Sequence, residues 1–188
     1  LQEENGYIPT NFRLERENRD YGFNYIRVGY LPSGWVDVEY SFAVSGRYDH
    51  VGVTFDFPEE GVKKIKWMGN GPYRVWKNRT KGARFGIWEK DYNDTATGEA
   101  WDYPEFKGFH SNMYAADIQT EEGTLSIVMA SDDLYLHLFT PSKQVNRNND
   151  NTLGIFPDGN ISILNAISPV GTKFKRASDL GPSSQQNM

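Results

Sequence analysis

Apolar side chains recur at every second position along several stretches of this chain, and that period decides what it can fold into. Over residues 35–44, Val36, Val38, Tyr40, Phe42 and Val44 share one face, with Asp37, Glu39 and Ser41 on the other. Val51, Val53, Phe55 and Phe57 then alternate with Gly52, Thr54 and Asp56, and Ser45-Gly46-Arg47-Tyr48-Asp49 between the two runs reads as a hairpin connection. An earlier strand carries Ile26, Val28 and Tyr30 and stops at Leu31-Pro32-Ser33-Gly34. Leu125, Ile127 and Met129 alternate with Ser126 and Val128, and Ser131-Asp132-Asp133 is a turn. Leu134, Leu136 and Leu138 alternate with Tyr135, His137 and Phe139, so both faces of that strand are bulky and expected to be covered. Near the end Ile161, Ile163 and Asn165 alternate with Ser162, Leu164 and Ala166. No stretch holds a capped helical repeat, so the expectation is an all-β fold, an antiparallel β-sandwich.

At 188 residues the chain is read as a single β-sandwich domain, with residues 1–23 a linker or stub and 179–188 a frayed tail. A net charge of -5 argues against a nucleic-acid partner, which would want a basic face. No cysteine is present, which excludes disulfides and thiol chemistry. No apolar run approaches the roughly 20 residues of a membrane span, so no membrane partner is expected. The start, Leu1-Gln2-Glu3-Glu4-Asn5, lacks the basic and apolar regions of a signal peptide, although a mature or excised fragment would look the same.

The richest chemistry lies in Trp67-Met68-Gly69-Asn70-Gly71-Pro72-Tyr73-Arg74-Val75-Trp76-Lys77-Asn78-Arg79. A strand runs into Gly-Asn-Gly-Pro, where Pro72 removes a donor and the glycines permit a sharp corner. Beyond it, Tyr73, Arg74, Trp76, Lys77 and Arg79 alternate ring and cation, the side chains that stack on sugar C–H faces and donate to hydroxyl or carboxylate oxygens. Against this stands a plainer reading: Trp67, Trp76 and Trp88 fill the core, and Arg79 pairs with a buried carboxylate. Two long irregular stretches, residues 90–107 and 141–157, are further places for function.

Hydrolysis of a glycoside needs two carboxylates held across a sugar. Glu89, Asp91, Glu99, Asp102 and Glu105 are the available acids, but most sit in the charged loop where solvation is the expectation. His50, His110 and His137 are scattered without metal-ligand spacing, and His110, near Glu105, is the one to test. Asp91, Asn93 and Thr95 open like a calcium loop, yet Ala96 replaces the needed glycine, so turn chemistry explains them better. Neither a metal nor an organic cofactor is expected.

These residues carry a resemblance. The chain resembles the C-terminal portion of glycoside hydrolase family 2 enzymes of the β-galactosidase type, whose last domain bears a motif like W-x-G-x-G-P-x-E-x-Y-x-D-R. Trp67, Gly69, Gly71, Pro72 and Arg79 match it, while Arg74, Trp76 and Asn78 replace its Glu, Tyr and Asp. Tyr103-Pro104-Glu105-Phe106-Lys107-Gly108 is similar to the family's P-Q-E-N-G element, and Gly171-Thr172-Lys173-Phe174 to a late element of one branch. The likeness runs from about residue 29 to 174.

The resemblance implies a galactose-mutarotase-like supersandwich and places the chemistry elsewhere. The family's two catalytic Glu residues stand on a TIM barrel of about 250 residues, which a chain of 188 cannot hold beside its strands. The implied function is a non-catalytic domain that supports a barrel of the same parent protein and helps complete its sugar pocket. Tyr73, Arg74, Trp76, Lys77, Arg79, Glu105 and His110 are then the carbohydrate-binding candidates, and no catalytic or metal residue is assigned. Arg74 in place of Glu reverses a charge and favours acidic or highly hydroxylated glycans as a hypothesis, tested by Arg74→Glu on an oligosaccharide array. Alternatives are an independent carbohydrate-binding module and a mutarotase-like enzyme using His110 with Glu105 or Glu89. Family analogy points to a periplasmic or extracellular home, while the residues themselves leave the compartment open.

Overall fold

The period of two is realised as ten strands. In the computed structural model, which describes residues 22–46, 48–94, 106–141, 154–172 and 174–181, they are β1 (Gly22–Tyr30), β2 (Val36–Ala43), β3 (Val51–Phe55), β4 (Val62–Gly71), β5 (Arg84–Asp91), β6 (Gly108–His110), β7 (Ala115–Thr120), β8 (Thr124–Val128), β9 (Tyr135–Leu138) and β10 (Ile161–Ala166). The only helical element among the described residues is a 3₁₀ turn at Ala177–Asp179. The all-β, antiparallel sandwich expected from the alternation is therefore the fold observed. Most of the stub and of the tail, residues 1–21 and 182–188, lie outside the described residues.

The described residues fall into two units. The first is the β1–β2 hairpin, closed by Leu31 N donating to Trp35 O at 2.8 Å. Its pairing sets Ile26 opposite Tyr40, Val28 opposite Val38 and Tyr30 opposite Val36 on one face. The other face pairs Tyr25 with Ser41 and Arg27 with Glu39, and Tyr25 Oη donates to Glu39 at 2.6 Å. This corrects one expectation. β2 does not pair with the strand after it; β3 pairs instead with β10, more than a hundred residues later.

The second unit is a sandwich of two four-stranded sheets, ordered β3-β10-β9-β6 and β5-β4-β7-β8. Between them Val62, Ile65 and Trp67 of β4 and Ala116 and Ile118 of β7 meet Leu136 and Leu138 of β9 and Ile161 of β10, with Phe106, Met113 and Phe139 completing the core. The β3-β10-β9-β6 sheet is covered on its other face as well, by a second core of Val75, Trp76, Phe109, Leu164, Ile167 and Val170 with Tyr135 and Phe156 packed on it. A strand bulky on both faces is thus explained. Phe139 departs from the alternation: its φ of 46° ends β9 and delivers its ring to the first core, stacked 6.3 Å from Phe106, rather than to the side of His137.

β5, β6 and β7 carried no clear period in the sequence. β5 is apolar at both parities, with Phe85 and Ile87 facing out and Trp88 facing in. β6 is only three residues long, and β7 relies on the small Ala116 beside Ile118.

Candidate functional site

The corner forms where β4 runs out. Gly71 ends the strand and is joined to Pro72 by a cis peptide. A Cβ on Gly71 would lie 2.5 Å from Trp88 Cδ1, so only glycine lets the indole close over the strand end. Trp88 Nε1 donates to Gly69 O at 3.2 Å and Trp67 Nε1 to Asn70 O at 3.0 Å, which satisfies the half-buried and the fully buried indole alike. Asn70 Nδ2 reaches Ser111 Oγ at 3.2 Å and Asn112 Oδ1 at 2.8 Å, tying the corner to the segment after β6.

The residues that follow are sewn to the sandwich one by one. Val75 N donates to Phe109 O at 2.8 Å, extending the edge of the β3-β10-β9-β6 sheet. Trp76 and Arg79 exchange backbone hydrogen bonds in a tight turn, at 3.2 and 2.8 Å. Lys77 N donates to Ser168 O at 3.1 Å. The Asn78 side chain bonds Val170 both ways, Nδ2 to O at 2.9 Å and Oδ1 from N at 3.1 Å.

This frame splits the sequence candidates into two groups. Tyr73 is 39% exposed, Arg79 is exposed and Lys77 is half-buried. Arg74 is buried at 9%, its Nη1 donating to Lys107 O at 3.2 Å and its stem lying against Gly108. Trp76 is buried with its ring edge-on to Phe109 at 5.3 Å and tilted on Phe156 at 5.1 Å. Gly154 packs so closely on that ring that any Cβ there would overlap it. Glu105 lies outside the described residues. Arg79 takes part in none of the ion pairs among the described residues, so the buried-carboxylate alternative does not describe it.

His110 faces the core, edge-on to Trp67 at 5.0 Å. Its Nε2 lies 3.1 Å from Phe106 O, which assigns the proton to Nε2 and leaves Nδ1 without a partner among the described residues. Burial first, then the charges of Lys90 and Arg74, push its pKa down to about 3 against the pull of the Phe106 carbonyl. Glu89 projects outward from β5, 2.7 Å from Lys64 Nζ, on the side of the strand away from the core. The two are not brought together as an acid–base pair.

Sequence reasoning passed over Lys107. Only 3% of its side chain is exposed, yet its ammonium bonds Asp94 at 2.7 Å and contacts Glu59, and Tyr92 Oη donates to Glu59 at 2.5 Å. Burial pulls its pKa down, but the hydrogen bonds it donates to Asp94 and Glu59 and the charge of Glu59 outweigh it and leave the ammonium favoured. The one available signal was a lone cation inside Phe106-Lys107-Gly108-Phe109.

A large antiparallel sandwich with a pinned aromatic and basic corner is the class of domain that these observations define. The family described as beta galactosidase small chain matches residues 17–160, a span that includes the hairpin, the corner and the strands up to the approach to β10. The chain belongs to that family. A comparison with curated proteins finds no match. No helix among the described residues is long and apolar enough to cross a membrane.

Proposed function

We propose that this chain is a non-catalytic C-terminal domain of a family 2 glycoside hydrolase, β-galactosidase-like, which packs against a catalytic barrel carried elsewhere in the parent protein and helps complete its sugar site. The observation that carries the reading is the family match across residues 17–160, since a small chain implies a larger partner.

A second observation supports the docking part. The outer face of the β5-β4-β7-β8 sheet sets Ile87, Met68, Ala115 and Val128 in one cross-strand row. Ile87 is 69% exposed and Val128 64%, and Phe85 beside them packs edge-on to Tyr114 at 5.4 Å. Contiguous apolar surface of this kind is what a packed neighbour covers. The direct test combines the chain with the rest of the parent enzyme and follows cleavage of a chromogenic galactoside. Cleavage is expected to rise on combination and to be absent for the chain alone; unaided cleavage by the chain would overturn the reading. Ile87→Asp is expected to weaken the association without unfolding the chain.

The reading as an independent carbohydrate-binding module is favoured by one feature, the exposed Tyr73 and Arg79 on a pinned frame. Tryptophan fluorescence titrated with neutral galactan tests it.

A further inference from the structure

Residues 61–88 contain eight Lys and Arg and no Asp or Glu, inside a chain whose net charge is -5. The structure sorts those cations. Lys63 pairs with Glu121 at 2.7 Å and Lys64 with Glu89 at 2.7 Å. Lys66 stands opposite Glu89 on one neighbouring strand and Asp117 on the other. Arg74 is buried on Lys107 O, and Lys77 is half-buried with its backbone N donating to Ser168 O at 3.1 Å. Arg79, Lys81 and Arg84 remain, all exposed, and none joins the ion pairs among the described residues.

These three sit on one loop and its return. β4 ends at Gly71 and β5 begins at Arg84, and those two residues are paired across the hairpin, so residues 72–83 form a closed loop. The loop's first limb is pinned by Val75 on Phe109, Lys77 on Ser168 and Asn78 on Val170. Its inward side chains, Arg74, Val75 and Trp76, are buried, and Tyr73 faces outward. The cations therefore project from an ordered frame, which lowers the entropic cost of binding relative to a free basic arm.

We propose that the loop of residues 72–84 is a binding surface for anionic polysaccharide. Arg79, Lys81 and Arg84 take carboxylate or sulfate groups, and Tyr73 takes the C–H face of a sugar ring. The proposal rests on the carbohydrate-binding reading of the corner and names the ligand class, and it moves the charge selection from Arg74 to the cations that face solvent. Nucleic acid fits less well, because it wants a broadly basic face, whereas three cations beside the exposed Tyr73 ring in a chain of net charge -5 suit charges spaced along a hydroxylated sugar chain.

The test titrates the 188-residue chain with polygalacturonate, a sulfated galactan, neutral β-galactan and a single-stranded DNA oligonucleotide, at low and raised salt. Polygalacturonate or the sulfated galactan, whichever carries the preferred group, is expected to bind about tenfold more tightly than neutral galactan at low salt and to lose that margin as salt rises. Arg79→Gln/Lys81→Gln/Arg84→Gln is expected to bind the anionic glycan about tenfold more weakly and to lose its margin over neutral galactan, with the melting temperature unchanged. The single variant Arg79→Gln, at an exposed site, reports the same direction should the triple variant fold poorly. Equal binding of anionic and neutral glycans overturns the proposal and leaves the carbohydrate reading standing. Binding of DNA as tight as that of the anionic glycans overturns the assignment to polysaccharide. Failure of every glycan, neutral included, removes both.

Discussion

The two sheets of the sandwich solve different problems. The β3-β10-β9-β6 sheet is buried on both faces, by His110, Leu136, Leu138 and Ile161 on one side and Phe109, His137 and Leu164 on the other. The β5-β4-β7-β8 sheet is buried on one. Its outer face carries ion pairs such as Lys64 with Glu89, a Ser126–Asp117 hydrogen bond of 2.7 Å, and the apolar row from Ile87 to Val128. A doubly covered sheet has no water to solvate a charge, so its polar groups must be neutral or bonded internally. Across that sheet Thr54 Oγ1 donates to Ser162 Oγ at 2.9 Å, and Ser162 Oγ lies 3.2 Å from His137 Nδ1. The singly covered sheet has freedom to present charge and apolar surface to a partner.

Four measurements would break or sharpen this contrast. Trp76→Ala, in the second core, is expected to cost about 3–5 kcal/mol in urea unfolding, because it empties a site walled by Phe109 and Phe156. A loss under about 1 kcal/mol would mean that the second face is not truly a core.

Acid comes next. His110 and His137 each have a pKa pushed down to about 3, for His137 by burial and then by His50 and His110, partly offset by the Phe139 backbone. His50 is also lowered by burial, against the charges of Asp49 and Asp158. A depressed histidine binds its proton more readily in the unfolded chain, so its contribution is whole above the unfolded value near 6.5 and is lost as pH falls from there toward about 3. The slope is on the order of 1.4 kcal/mol per pH unit for each buried histidine. Unfolding free energies compared at neutral pH and about two units lower test this; a flat profile would show that these rings are hydrated.

Lys107→Met strips the ammonium from Glu59 and Asp94. Both carboxylates keep some water, at 33% and 39% exposure, so the expected cost is about 2 kcal/mol, short of that for a fully buried pair. Stability unchanged by the substitution would make the network a surface feature. The smallest effect belongs to the outer face: Ile87→Ala should change stability by no more than about 0.5 kcal/mol, measured in the same urea series. A larger loss would mean that the outer face is packed within the chain itself.

Legibility in the sequence followed the same division. β8, β9 and β10, short as they are, were readable because apolar residues recur at every second position, and the corner was readable because Gly71-Pro72 punctuates a strand. β5 was not, since Phe85 and Ile87 put apolar side chains on a solvent face, against the pattern that marks a half-buried strand. At the corner, residue types identified a region with the right chemistry without ordering it. Arg74 and Arg79 look equivalent on paper, but one is buried on a backbone carbonyl and the other stands in solvent. His110 looked available and is fully enclosed.

Sequence alone determined the period of two, hence the all-β class, the place of the corner and membership of the family, because each of these is written in neighbouring residues or in a local motif. Tertiary structure decided that β3 joins β10 rather than β2, that Phe139 leaves its face, and which cations of residues 61–88 reach water. Those outcomes depend on contacts between residues far apart in the chain, and a short-range pattern is the same whichever distant partner closes over it.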